Sequence, residues 1–221
     1  MIKKGILGGT FDPFHLGHLM LLRESMKALC LDAAIAEPNR VPYYRRQPAL
    51  SNEERLEICR LSVSGIPGVQ VSDREIRRDS YTSTCELLRE LRSAEPETWP
   101  VFIIGMDSFL YLHKWVRGEE IPEYGNLAVI KRPGSQLRPE ELPPELLRIY
   151  EKYRSPDNAV RGPAGQIFFL DTPEMDISAT AIRNLLRKRD FAAAREFLAP
   201  AALTRIREIM EERPGIWDEP S

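Results

Sequence analysis

Short apolar runs alternate with helical patterns along most of the chain, and this alternation constrains the fold more than any other feature. Residues 2–7, 33–37, 68–71, 101–104, 126–131 and 167–170 each read as a short buried strand. Helical spacing falls at 16–29, 52–63, 82–91, 107–115, 139–153, 178–187 and 200–212. Ser51 and Glu54 form a capping-box pattern ahead of the second of these helices. Strands that alternate with helices build a parallel sheet covered on both faces. The expected fold is α/β, a doubly wound parallel sheet in one domain spanning 1–221, closed by C-terminal helices. The stretch 135–165 is the least regular and reads as an insertion within that domain; 199–221 is the last helix and tail.

Composition narrows the function. The 221 residues are 43% hydrophobic and 29% charged, enough for a core and an ordinary polar surface. A net charge of −2 supplies no broad basic field for a nucleic-acid polymer. No apolar run nears the ~20 residues of a membrane span, and the start of the chain does not read as a signal peptide. A cytoplasmic protein is expected. Cys30, Cys59 and Cys85 form no CxxC pair, so buried free thiols are expected rather than disulfides or a cysteine metal site. Oligomeric state is left open.

The strongest motif is the run 8–18, GGTFDPFHLGH, which follows a strand and opens a helix. Glycine at a strand end lets backbone approach a phosphate closely, and free N–H groups at a helix start attract anions. His15 lies just before the helix and His18 in its first turn, so both can aim at one phosphate chain. Gly17 leaves room for a base or ribose. A zinc reading is weak, because His113 is the only other histidine. At a second helix start, Ser178, Thr180 and Arg183 combine hydroxyls with a forked cation. After the fourth strand, Gly105 and Asp107 put a carboxylate where it can accept ribose hydroxyls. Trp115 offers a flat face for a heteroaromatic ring, although taken alone a core tryptophan is the commoner case. The segment 73–82, taken alone, reads as a solvated loop of alternating charges, and the turn at Arg132 is ambiguous by itself.

Together these residues resemble the bacterial nicotinate mononucleotide adenylyltransferases of the HxGH nucleotidyltransferase superfamily. The resemblance rests on GGTFDPFHLGH at 8–18, SYT at 80–82, FIIGMD at 102–107, Trp115, KRPG at 131–134 and ISATAIR at 177–183. It implies a Rossmann-like domain that binds ATP and nicotinate mononucleotide. By resemblance, His15, His18 and Arg45 are catalytic. Gly8, Gly9, Thr10, Phe11, Gly17, Gly105, Asp107, Ser178, Thr180 and Arg183 join the two histidines in binding ATP. Thr82, Thr84, Cys85, Trp115 and Arg132 fall to the mononucleotide. Backbone N–H groups within 80–86 and 105–115 are expected to select the acid over the amide. Mg2+ is expected to arrive with ATP, without a dedicated protein metal site. The family pattern is broken twice, with Tyr44 in place of a histidine and Cys85 in place of a threonine. Two other readings stay open: a sister enzyme acting on another small phosphate such as phosphopantetheine, and a nucleotide-sensing module without turnover.

Overall fold

The structure is a computed structural model that describes residues 1–41, 47–131, 137–173 and 177–218. Its strands are β1 Ile2–Gly9, β2 Ala33–Pro38, β3 Val69–Val71, β4 Thr98–Gly105, β5 Asn126–Lys131 and β6 Ile167–Asp171. They form one sheet in the order β3-β2-β1-β4-β5-β6. β1 pairs in parallel with β4, with Leu7 opposite Ile103. β4 pairs likewise with β5, and β5 with β6. This is the doubly wound, Rossmann-like order, reversing between β1 and β4. The helices are α1 Leu16–Leu29, α2 Asn52–Val63, α3 Thr84–Ala94, α4 Met106–Leu110, α5 Ile121–Tyr124, α6 Pro144–Tyr153, α7 Ala179–Arg187, α8 Phe191–Ala194 and α9 Pro200–Glu212.

The residues group into two compact units: Met1–Leu7, Leu21–Ile35 and Thr82–Glu174 in the first, Gly8–Met20, Ala36–Tyr81 and Met175–Ser221 in the second. In the first, α3, α4 and α5 pack on β4 or β5 over a core that includes Leu88, Phe102, Phe109, Leu112 and Leu127. Burying side chains of this size stabilises by roughly 1.5–3 kcal/mol each. In the second, α2 packs against β3 and α9. Arg205 to Glu57 at 3.0 Å and Arg213 to Glu54 at 2.5 Å tie α9 to α2. No described helix is long and apolar enough to cross a membrane.

Several element boundaries differ from expectation for local reasons. The strand ahead of the glycine pair continues to Gly9, whose carbonyl accepts the Asn39 N–H at 2.9 Å. The expected helix 82–91 begins instead at Thr84, because Ser83 and Glu86 cap it reciprocally. The stretch 139–153 is two pieces, a 3-10 turn at Pro139–Glu141 and α6. Pro143 and Pro144 separate them, since proline fits the first helical turn and not the interior. The stretch 107–115 likewise divides into α4 and a 3-10 turn at Leu112–Lys114, with Trp115 extended at φ −74° and ψ 154°.

Candidate active site

The second unit brings the run 8–18 and the segment 177–183 together. Phe11 adopts a left-handed backbone, φ 52°, and its ring lies so close to Gly9 that a β-carbon there would sit 2.6 Å from it. Phe11 also packs edge-on against Phe14 and His18, with centroids 5.1 and 4.9 Å away. Asp12, buried, accepts the N–H groups of Ala49 and Leu50 at 3.0 and 3.1 Å. These contacts fix the loop that delivers the two histidines.

His15 and His18 stack, with ring centroids 3.7 Å apart and planes 24° from parallel. The His15 backbone N–H donates to His18 Nδ1 at 3.2 Å. Neutral His18 therefore carries its proton on Nε2 and can donate from that atom. His15 Nδ1 is buried and takes no hydrogen bond among the described residues. Burial lowers the His15 pKa to about 4. Burial, and secondarily the neighbouring His15, hold His18 well below the usual histidine range. Both rings are neutral donors near pH 7 in the absence of an anion.

Two expectations about this helix start are corrected. Its first N–H is engaged, since Leu16 donates to the Phe197 carbonyl at 2.9 Å. Gly17 does not leave open space. A β-carbon there would lie 2.7 Å from Ile177 Cγ2 and 3.0 Å from the His15 ring. The glycine instead allows Ile177 and the imidazole to close on the helix.

Ser178 caps α7, accepting the Ala181 N–H at 3.1 Å. Arg183 donates to the Asp12 carbonyl at 2.7 Å and to Thr180 Oγ1 at 3.0 Å. Its guanidinium is thus held against the loop that leads to His15, and Thr10, Ser178 and Thr180 are exposed.

In the first unit, nothing lies within 4 Å of where a side chain would begin at Gly105, so backbone there is open to close approach. Asp107 is exposed in the first turn of α4. Trp115 is half-buried against the apolar core. Gly118 shapes this turn: a β-carbon there would lie 1.9 Å from the Leu112 carbonyl oxygen, which also accepts the Trp115 N–H at 3.0 Å. Thr82 is buried and Thr84 half-buried. Cys85 is fully buried in the core, and burial raises its thiol pKa, so its side chain packs rather than faces a surface ligand. Cys59 is also buried, whereas Cys30 is exposed, contrary to the expectation for all three. The Ser83 N–H is spent on Glu86 and the Glu86 N–H on Ser83, at 3.1 and 3.3 Å. With Trp115 also engaged, the main-chain donors left to read an acid group are fewer than the sequence suggested. Tyr44, Arg45, Arg132 and Asp176 lie outside the described residues.

Asp12 lies within the run 8–18 but was given no role of its own, and Arg55 was not singled out. Arg55 is fully buried on α2 and hydrogen-bonded to the Thr10 carbonyl at 2.5 Å. Burial lowers its pKa, and the Asp12 charge opposes that shift. A signal was present: Arg55 shares the buried face of α2 with Ile58, Cys59, Ser62 and Val63 at helical spacing, where a solvated arginine does not belong. Among the described residues, no group of three or more His, Cys, Asp or Glu is arranged to hold a metal ion.

Comparison with known proteins identifies the family. The family model described as cytidylyltransferase-like matches residues 6–185. A probable nicotinate-nucleotide adenylyltransferase of Aeromonas hydrophila is 38% identical over 213 residues, covering 96% of this chain and 97% of that protein. One of the same name from Yersinia pestis is 39% identical over 207 residues, covering 92% of each. The nicotinic acid mononucleotide adenylyltransferase of Plasmodium falciparum, solved with NaAD, superposes with a TM-score of 0.74 over 99% of this chain and 98% of that one. At 16% identity, that match speaks for the fold alone. A family model over most of the chain, and relatives this similar along nearly their whole length, show that the chain belongs to the cytidylyltransferase-like family, among the nicotinate-nucleotide adenylyltransferases.

Proposed function

We propose that the chain transfers the adenylyl group of ATP to nicotinate mononucleotide, forming deamido-NAD and pyrophosphate in NAD biosynthesis. The observation that carries this reading is the stacked His15–His18 pair, with Arg183 held against the same loop at the Asp12 carbonyl. A phosphate oxygen of the mononucleotide attacks the α-phosphorus of ATP. A new P–O bond forms, and the bond from the α-phosphorus to the pyrophosphate oxygen breaks. The attacking phosphate is already ionised near pH 7, so no general base is required. The protein's task is positioning and stabilising charge.

In this reading His18 Nε2 and the His15 imidazole donate to phosphate oxygens, and Arg183 leaves the Asp12 carbonyl to meet the triphosphate. Arg45 is assigned to the same charge. Gly8, Gly9, Thr10 and Phe11 line the nucleotide, Ser178 and Thr180 add hydroxyls, and Gly105 and Asp107 take the ribose. Trp115 is assigned to the pyridine ring, and Thr82, Thr84 and Arg132 to the mononucleotide. The donors assigned to the phosphates are imidazole, hydroxyl and guanidinium, which suit phosphate oxygens. Mg2+ is therefore expected to be carried by ATP's own oxygens with its waters, as this ion prefers. Use of ATP and the free thiols support a cytoplasmic location.

The test is chromatography of products from purified protein with Mg–ATP and saturating nicotinate mononucleotide. Deamido-NAD and equimolar pyrophosphate are expected, with slower turnover of nicotinamide mononucleotide. Folded protein that yields no dinucleotide from either substrate overturns the proposal.

A further inference from the structure

Arg55 is the largest fully buried side chain described in the structure, and its hydrogen bonds run to backbone on two different strand ends. Nη1 donates to the Thr10 carbonyl at 2.5 Å, in the loop after β1. Nη2 donates to the Asn39 carbonyl at 2.8 Å, just after β2, and to Asn52 Oδ1 at 2.6 Å. The same two stretches are joined by the Asn39 N–H to the Gly9 carbonyl at 2.9 Å. Two residues beyond Thr10, the Asp12 carboxylate accepts the Ala49 and Leu50 N–H groups, which lie just ahead of α2. The loop leading to His15 is therefore fastened on one side by a guanidinium and on the other by a carboxylate.

Burying an arginine is costly, and an apolar residue of similar volume is often the more stable choice at such a place. The hydrogen bonds described for Arg55 end on main-chain carbonyls and an amide oxygen. Those carbonyls would lose their partners if an apolar side chain replaced it. We infer that Arg55 is a positioning residue for adenylyl transfer, holding the backbone after β1 in register with the backbone after β2, so that the loop presents His15 and His18 to the phosphates. Asn52 orients the guanidinium from the first turn of α2.

This inference rests on the adenylyl-transfer reading, and wild-type protein assayed alongside separates the two. The variants are Arg55→Met, Arg55→Lys and Asn52→Ala, assayed well below each melting temperature for kcat and for the KM of each substrate. Arg55→Met is expected to lower kcat/KM for ATP about 10²-fold, the scale of a misplaced reacting geometry. The KM for the mononucleotide should stay within about threefold of wild type. Arg55→Lys, which keeps the charge and part of the donor set, should recover about a tenth of the wild-type value. Asn52→Ala should lose about threefold to tenfold in kcat/KM for ATP while melting within a few degrees of wild type. These losses follow the same positioning argument. A space-filling role would lower only the melting temperature. Wild-type ATP kinetics in folded Arg55→Met would overturn the inference. If that variant does not fold, wild-type ATP kinetics in both Arg55→Lys and Asn52→Ala would overturn it. So would a loss confined to the mononucleotide KM. An inactive wild type would remove the adenylyl-transfer reading and this inference with it.

Discussion

His15 and His18 sit in a setting that keeps both rings neutral, and this has a consequence for stability. A histidine in the unfolded chain titrates near 6.5, while folded His15 titrates at about 4. Between those values the unfolded chain binds the extra proton, so stability is full above 6.5 and is lost as pH falls toward 4. A shift of this size is worth on the order of 3 kcal/mol. Thermal melts should show wild type losing stability across that window, with a shallower slope in His15→Gln. Equal slopes would contradict the buried, neutral His15. Gly17 gives a second expectation. Alanine is the better helix former by about 1 kcal/mol, yet its β-carbon would meet Ile177 and the His15 ring. Gly17→Ala should lose about 10²-fold in kcat/KM for ATP while its Tm moves only slightly. Wild-type kinetics would show that the ring and Ile177 yield without cost. At this scale the motifs pointed to the histidines and Arg183, and the structure brings all three to the same loop. The sequence did not reveal Arg55, because an arginine inside a charged stretch reads as solvated until its helical phase is compared with Ile58 and Cys59.

At the scale of elements, the turn that carries Trp115 is held by close packing. Gly118 lies against the Leu112 carbonyl, with the Trp115 N–H on the same oxygen. Gly118→Ala must open that turn and re-aim Trp115. The expected result is a rise of about tenfold in the KM for nicotinate mononucleotide, the lower range for a lost hydrophobic contact, with the KM for ATP unchanged. Equal KM values in variant and wild type would separate Trp115 from the mononucleotide. The helices α1, α2 and α9 match the ranges expected for them, α2 from the Ser51–Glu54 capping pattern. The helices α5 and α8 were missed because four residues are too few to display a period. The 3-10 segment at Leu112–Lys114 merged with α4 in the sequence reading, since spacing of three and spacing of 3.6 are hardly distinct over so few residues.

For the whole molecule, alternation of strand and helix was enough to specify a doubly wound sheet, but not the order of its strands. That order, with β1 and β4 adjacent, depends on which crossovers return along the sheet, and these are long-range choices that local spacing does not encode. The most direct test of adenylyl transfer follows the phosphorus atoms. With Mg–ATP labelled at the α-phosphate and unlabelled nicotinate mononucleotide, the label should appear in the dinucleotide; with γ-label it should appear only in pyrophosphate. Transfer of γ-label to the mononucleotide, or α-label that never enters a dinucleotide, would contradict the account.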